Sequence, residues 1–242
     1  MGKLLTHTLR IPDNAADCFG RCRPGALLNI CQETGNMHSI EIGYANDDLP
    51  EGFSWVLVKA FLRLERPLKR QEEITVSTWY RGSAGAQVYR DYDVYANGVR
   101  AGEVITSWIM FDLIRQRPVR PDIAKETDLI YTPPEPKTVI PSKPERPGET
   151  HEAGTRPVRY SDLDMNGHMN NIVYLDVVCD TLRLEEHAGV FLKSAEIHYV
   201  GQTLPGQTLE LETGDLSDGR HYVSGAVSGK RSFEALAELG GL

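Results

Sequence analysis

Leu4, Leu5 and Leu9 fall among polar residues in the pattern of a first strand, about Leu4 to Ile11, and the apolar spacing that follows predicts an amphipathic helix over about Ala26 to Ile40. Strand-rich sequence comes next, Val58 to Leu64 and then Ile74 to Val76, with Asn97-Gly98 as a two-residue hairpin turn. The same order then returns. A strand over about Thr155 to Tyr160 precedes Ile172, Leu175, Val178, Cys179 and Leu182, whose spacing predicts a helix over about Asn171 to Glu186. Lys193 to Tyr199 and Leu209 to Leu211 stand at a constant offset of 135 from the strands of the first half, and Ser228-Gly229 repeats the turn. Between the halves, eight of the 14 prolines lie from Pro118 to Pro147, where neither a regular helix nor a central strand can form. The expected organisation is an N-terminal unit over residues 1–117, a Pro-rich linker over 118–150 and a C-terminal unit over 151–242. A single long helix followed by antiparallel strands buries its apolar stripe when the sheet curls around it, so the expected class is α+β, with two such units side by side.

Residues 160–171 read Tyr-Ser-Asp-Leu-Asp-Met-Asn-Gly-His-Met-Asn-Asn. Asp164, Asn166 and His168 occupy alternate positions, and in an extended segment all three point the same way. A carboxylate can take a proton from water, an imidazole can orient or shuttle it, and an amide can fix a carbonyl or the partner carboxylate. Asn170 or Asn171 is placed to cap the following helix, and unpaired amides at its start can receive a developing oxyanion. The competing reading is a polar loop whose Asp and Asn residues only satisfy turn hydrogen bonds. The first half reads Arg21-Cys22-Arg23-Pro24-Gly25 at its helix start and has Pro67 where the second has Gln202. One active centre per chain is therefore expected, in the second half, with the first half as its binding or structural partner.

Composition narrows the classes. With 40% apolar and 25% charged residues the 242-residue chain has the balance of a folded globular protein, and its net charge of −8 argues against a nucleic-acid partner. Cys18, Cys22, Cys31 and Cys179 lack histidines at zinc-ligand spacing, and no secretory segment opens the chain. They read as reduced thiols in a cytoplasmic protein with no metal. No apolar run approaches the roughly 20 residues of a membrane span. Met1-Gly2 with Thr6 matches an N-myristoylation pattern formally, but Leu4, Leu5, Thr6 and Leu9 read better as a strand.

Gln32-Glu33 with His38 and Gly43, Trp55 to Arg63, Arg66-Pro67, Thr78-Trp79, Ser107-Trp108, Phe111-Asp112 and above all Ser161 to Asn171 make the sequence similar to the acyl-ACP thioesterases, a family of two hotdog folds in tandem. The resemblance covers nearly the whole chain. It implies hydrolysis of the thioester between a fatty acyl chain and the phosphopantetheine arm of acyl carrier protein, without metal or organic cofactor. It places Asp164, Asn166 and His168 in the catalytic positions, and puts Gln202 and Thr203 where the family has Glu and Cys. That departure removes a second carboxylate and any thiol nucleophile from the site. The mechanism expected is direct attack by water: Asp164 as base or as the group polarising His168, Asn166 holding carboxylate or substrate, Gln202 hydrogen-bonding the water, and amides near Asn170 and Asn171 receiving the oxyanion.

The rival substrate is acyl-CoA, which carries the same thioester on another handle. A hydratase or dehydratase and a non-catalytic acyl-binding module are the remaining alternatives. Carrier protein is acidic, so Arg63, Arg66 and Lys69 are the candidate docking patch. A homodimer is compatible with the sequence. His38 with Glu33 reads as a satisfied helix histidine before a tunnel-lining one, and Trp55, Trp79 and Trp108 as core aromatics.

Overall fold

The computed structural model describes residues 3–135 and 137–242. Met1 and Gly2, on which the acylation pattern rests, lie outside the described residues. The first half contains β1 (Leu4–Arg10), α1 (Pro24–Ile42), β2 (Phe53–Leu64), β3 (Glu73–Ala84), β4 (Gln87–Ala96), β5 (Val99–Asp112) and the short β6 (Arg117–Val119). The second contains β7 (His151–Pro157), α2 (Asn171–Thr181), β8 (Val190–Tyr199), β9 (Thr208–Asp215), β10 (His221–Val227) and β11 (Lys230–Gly241). All strands join one antiparallel sheet in the order β1-β3-β4-β5-β2-β8-β11-β10-β9-β7, with β6 beside β5. Read from its two ends, that order is one arrangement twice over.

The repeat is exact at the seam where the halves meet. β2 and β8 pair antiparallel, and Phe61 stands opposite Glu196, its own counterpart 135 residues on. An approximate two-fold axis therefore passes between them. β2 bulges past β5 between Leu57 and Lys59, and β8 past β11 at Lys193, the counterpart of Val58. The turns Asn97-Gly98 and Ser228-Gly229 have φ of 52° and 78°, and 49° and 72°, the left-handed pairs that a two-residue hairpin demands.

Both helices lie on one face of the sheet. Leu27, Leu28 and Cys31 of α1 and Leu175, Val177 and Val178 of α2 share a single core with Ala60, Leu62, Ile197, Ala235 and Leu209. The helices approach closely at Gly25, where an added Cβ would lie 2.6 Å from the Ile172 carbonyl oxygen, and Arg23 pairs with Asp176 alongside. Further along, the side-chain amides of Gln32 and Asn171 exchange hydrogen bonds of 2.9 and 3.2 Å. Because the contacts run 23 with 176 and 32 with 171, the helices are antiparallel, and the last ten residues of α1 pass beyond the start of α2.

Several boundaries differ from those expected. α1 is longer at both ends, with Pro24 at its first position and Gly43 at φ 75° as its C-cap. α2 stops at Thr181, short of Glu186, because Arg183 turns into the left-handed region at φ 53° and Leu184–Glu186 form a separate 3-10 turn. β7 ends at Pro157, before Tyr160, since Tyr160–Asp162 form another such turn.

The Pro-rich segment first packs Ile123 against Tyr80 and Ile42 of α1 on the helix side, and from Tyr131 onward it crosses the opposite sheet face as a strap. Tyr80 donates to the Ile123 carbonyl at 3.2 Å, the Tyr131 ring meets Trp79 edge-on at 5.7 Å, and Arg81 donates to the Val139 carbonyl at 2.7 Å. Lys137 binds Asp93 and Glu103 at 2.5 and 2.7 Å. Past the seam, Ser142 Oγ donates to Glu196 at 3.0 Å, and Lys143 and Arg146 reach Glu234 and Glu212. Proline donates no backbone bond, so beyond the Tyr131 N–H to the Tyr80 carbonyl at 3.2 Å the fastening is mostly by side chains. Trp79 is thus buried on the strap side and not in the helix-side core.

Candidate active site

The segment with Asp164, Asn166 and His168 is not extended. Leu163 bridges Met169, the Asp164 N–H donates to the His168 carbonyl at 2.8 Å, and the Gly167 N–H donates back to the Asp164 carbonyl at 3.0 Å. The carboxylate itself closes the loop, because Asp164 Oδ1 accepts from the Asn166 and His168 N–H groups at 2.8 and 3.1 Å. Gly167, at φ 75°, supplies the left-handed residue the turn requires. The three side chains therefore radiate from a tight loop and do not line one face of a strand. Asp164 and His168 are half-buried and Asn166 is exposed. Among the described residues, none of these side chains hydrogen-bonds to another, and Asp164 Oδ2 has no partner.

The same loop occurs in the first half, 147 residues earlier. Ala16 bridges Cys22, the Asp17 N–H donates to the Arg21 carbonyl at 2.7 Å, and the Gly20 N–H donates to the Asp17 carbonyl at 3.0 Å. Asp17 Oδ1 accepts from the Phe19 and Arg21 N–H groups, both at 2.9 Å, and Gly20 also sits at φ 75°. Even the supports match: Cys22 N–H to the Leu68 carbonyl and Met169 N–H to the Thr203 carbonyl are both 2.8 Å. The brace is thus common to both halves, whereas the amide and imidazole of Asn166 and His168 face Phe19 and Arg21 in the copy. Sequence reading missed this twin because only the aspartate and glycine survive, too little for recognition without the hydrogen bonds.

The Met169–Thr203 bond sets the strand after β8 against the loop, which brings Gln202 beside it. Gln202 is exposed. Thr203 is buried with its hydroxyl 2.9 Å from Tyr174 Oη and 2.5 Å from Ser232 Oγ, so it serves a buried hydroxyl cluster. An open recess of about 330 Å³ adjoins Gln202, lined among others by Val200, Val227, Lys230 and Arg231. Asn170 caps α2, its side chain accepting from the Ile172 N–H at 3.1 Å, while its own N–H donates to the Asp162 carbonyl at 2.7 Å. The Asn170 N–H and side-chain oxygen are thus both engaged, and the Asn171 side chain is held by Gln32. What remains is the Asn171 backbone N–H at the first helical position.

Of the docking residues, Arg63 is bound to Glu103 at 2.5 Å and Arg66 to Glu72 at 2.6 Å, so they do not form a free positive patch. Lys69 has no ion pair among the described residues. His38 is buried, with Nδ1 2.8 Å from Arg90 Nη1. No group of three metal-ligating side chains occurs among the described residues, and no described helix is long and apolar enough to cross a membrane.

One support escaped the sequence reading. Asp162, 5% exposed, takes a two-pronged bond from Arg156 at 2.5 and 2.7 Å and accepts the Arg159 N–H at 2.6 Å. The Arg156 guanidinium holds its carboxyl below the usual 3.8. The first-half twin has Ala15 there, so this pair braces only the loop with the imidazole. Asp162→Ala should cost about 2–3 kcal/mol in denaturant unfolding, the worth of a buried charge-assisted pair. A lowered folded-state value means that the stabilisation is present above about pH 4 and is lost as pH falls through that value, so the two proteins should converge in acid.

Comparison with known proteins gives a consistent result. The family model described as the acyl-ACP thioesterase N-terminal domain matches residues 2–127, and that described as the acyl-ACP thioesterase C-terminal domain matches residues 145–231. An oleoyl-acyl carrier protein thioesterase of Coriandrum sativum is 26% identical over 184 residues, covering 66% of this chain and 48% of that protein. The chain spans about half the length of the curated relatives it matches. Two solved structures share the fold over nearly their full length: an acyl-ACP thioesterase from Bacteroides thetaiotaomicron (TM-score 0.81, 22% identity, 98% of each chain) and the 12:0-ACP thioesterase from Umbellularia californica (TM-score 0.81, 17% identity, 100% of this chain and 99% of that one).

Proposed function

Because the chain belongs to the acyl-ACP thioesterase family, we propose that it hydrolyses the thioester linking a fatty acyl chain to the phosphopantetheine arm of acyl carrier protein. It does so as two tandem hotdog units, residues 1–117 and 151–242, joined by the strap over 118–150. The observation that carries the reading is the pair of twin loops: both keep the aspartate brace, and only the second adds an amide and an imidazole.

Asp164 divides its two oxygens between tasks. Oδ1 holds the loop, and the unpartnered Oδ2 takes the proton of the attacking water, directly or through His168. Asn166 orients the thioester carbonyl, Gln202 hydrogen-bonds the water, and the Asn171 N–H at the helix start receives the oxyanion, where the helix dipole adds to the bond. The thiolate leaves without strong acid help, because thiols are far more acidic than alcohols. The cytoplasm, where reduced Cys18 is stable, is the matching compartment.

A second reading has a specific observation behind it. With Arg63 and Arg66 neutralised by Glu103 and Glu72, only Lys69 of the docking trio offers free charge, and a CoA-linked substrate needs no protein docking face. Thiol release from matched acyl-ACP and acyl-CoA series decides between them: higher kcat/KM for acyl-ACP supports the first reading, and higher kcat/KM for acyl-CoA replaces it with the second. Gln202→Ala should lower kcat about 10-fold, as for one positioned hydrogen bond, far less than loss of a base. Gln202→Glu should retain activity and move the pH profile upward, since a second carboxylate near Asp164 raises the pKa of the pair. A Gln202→Ala loss above about 10³-fold would mean that the amide does more than place water.

A further inference from the structure

Behind the twin loops the halves differ at three matched buried positions. Tyr174 and Leu27 each stand four places past a helix cap, Asn170 and Arg23. Thr203 and Leu68 offer the carbonyls that accept the Met169 and Cys22 N–H groups. Ser232 and Ala101 offer those that accept the Val200 and Glu65 N–H groups, at 2.8 and 2.9 Å. All six residues are buried. Three apolar side chains of the first half are thus three hydroxyls in the second, the half with the imidazole. The first half folds in the same way without them, so packing alone does not call for hydroxyls here.

The hydroxyls form a directed chain. Tyr174 Oη donates to Thr203 Oγ1 at 2.9 Å, and Ser232 Oγ donates to the Gly201 carbonyl at 3.2 Å. The Thr203 and Ser232 hydroxyls lie 2.5 Å apart, so Thr203 donates to Ser232 and every proton of the chain is used. Gly201 is also held to β11 by its N–H, which donates to the Ser232 carbonyl at 3.0 Å, and an added Cβ would lie 3.2 Å from the Arg231 carbonyl oxygen. In a planar trans peptide the N–H points opposite to the carbonyl. The Ser232 hydroxyl therefore turns the Gln202 N–H away from β11, where it has no partner among the described residues. The counterpart of Gln202 is Pro67, which has no N–H, and the counterpart of Asn171 at the helix start is Pro24, which has none either.

We propose that the Gln202 backbone N–H is a second oxyanion donor beside the Asn171 N–H, and that Tyr174, Thr203 and Ser232 are positioning residues that aim it. This rests on the thioesterase reading and adds a catalytic group to it. Water adds to the thioester carbonyl carbon as Asp164 takes its proton, and the carbonyl electron pair moves onto oxygen. Two N–H groups from separate segments, the helix start and the strand after β8, meet that oxygen. The pair then returns, the C–S bond breaks, and the thiolate leaves with the bonding electrons. With proline at both donor positions, the first half lacks the hole as well as the imidazole.

Thiol release from an acyl thioester of the carrier gives the readout. Gln202→Ala removes the side chain and keeps the N–H, whereas Gln202→Pro removes both and should lower kcat about 10²-fold further, the scale for one oxyanion donor. The triple variant Tyr174→Phe/Thr203→Val/Ser232→Ala removes the whole hydroxyl chain and keeps the ring that packs on Tyr199 and Phe233. It should melt within about 5 °C of wild type, because no hydroxyl is left unpaired, and hold KM within about threefold while kcat falls roughly 10- to 100-fold. Ser232→Ala alone should lower kcat about 10-fold, and Ser232→Thr, which keeps the hydroxyl, should recover most of it. These two single variants decide the matter if the proline or triple variant does not fold. A folded Gln202→Pro protein within about threefold of Gln202→Ala, or hydroxyl variants with kcat within about threefold of wild type, would overturn the inference. So would hydroxyl variants that raise KM and leave kcat unchanged, since that pattern reports lost ground-state binding. Wild-type protein that releases thiol from no acyl thioester would instead defeat the thioesterase reading itself.

Discussion

Asp164→Asn should leave the fold intact and lower kcat by roughly 10²- to 10⁴-fold, the range for removal of a general base. The asparagine side-chain oxygen can still accept the Asn166 and His168 N–H groups as Oδ1 does now, at 2.8 and 3.1 Å, so the loop stays closed while the proton acceptor disappears. Asp164→Ala removes both functions, and should add a stability loss of about 1–2 kcal/mol for the orphaned amides. The twin supplies the control. Asp17→Ala breaks the same brace, and also the ion pair with Arg21, without touching the proposed chemistry, so stability should fall by a similar or somewhat larger amount with kcat within about threefold of wild type. If Asp164→Asn kept full activity, the aspartate would be a brace in both halves, and His168 would be the first place to seek the base.

Lys137→Met should be the most destabilising single change on the strap side, by about 2–4 kcal/mol, which corresponds to a melting temperature lower by roughly 5–15 °C for a chain of this size. The Lys137 side chain is 5% exposed and sits between Asp93 and Glu103, themselves 16% and 5% exposed. Removing the cation leaves two carboxylates close together in a place water barely reaches. Arg63 and Arg100 also contact Glu103, which keeps the figure below that for an isolated buried charge. Burial pushes the Glu103 carboxyl up, but the bonds and charges of Lys137, Arg63 and Arg100 outweigh it and hold it below 4.5. The group therefore stabilises the fold above about pH 4.5, and its contribution fades as pH falls through the lowered value. The difference between wild type and Lys137→Met should shrink in acid, and Asp93→Asn added to Lys137→Met should recover part of the loss. A cost under about 0.5 kcal/mol at neutral pH would mean that the strap is held by its aromatic and backbone contacts alone.

Much of this was legible in the residues. Periodicity located both helices, and the offset of 135 matched Val58 to Leu64 with Lys193 to Tyr199 as counterparts, without showing that they pair at the seam, where Phe61 meets Glu196. The motif was legible as residue types and not as geometry. Alternation suggested a strand, but an aspartate that can bond the N–H groups two and four residues on, followed by a glycine free to go left-handed, makes a closed loop more stable than an extended one. The early end of α2 had no local mark, since Arg183, which takes the left-handed φ of 53° there, is an ordinary helix former. The strap was invisible for a different reason: lysine, arginine and serine in a proline-rich stretch look the same in sequence whether they face water or fasten onto a sheet.

The β2–β8 seam also governs what happens if the chain is cut. Either half on its own would bare a long edge strand, with the unpaired N–H and C=O groups of Lys59 to Arg63 or Ser194 to His198 facing solvent beside an apolar helix-side surface. Such an edge recruits whatever strand it meets. The pairing inside one chain keeps it permanently occupied at an effective concentration no separate subunit could match, so proteolysis within the strap threatens solubility before it threatens any catalytic group.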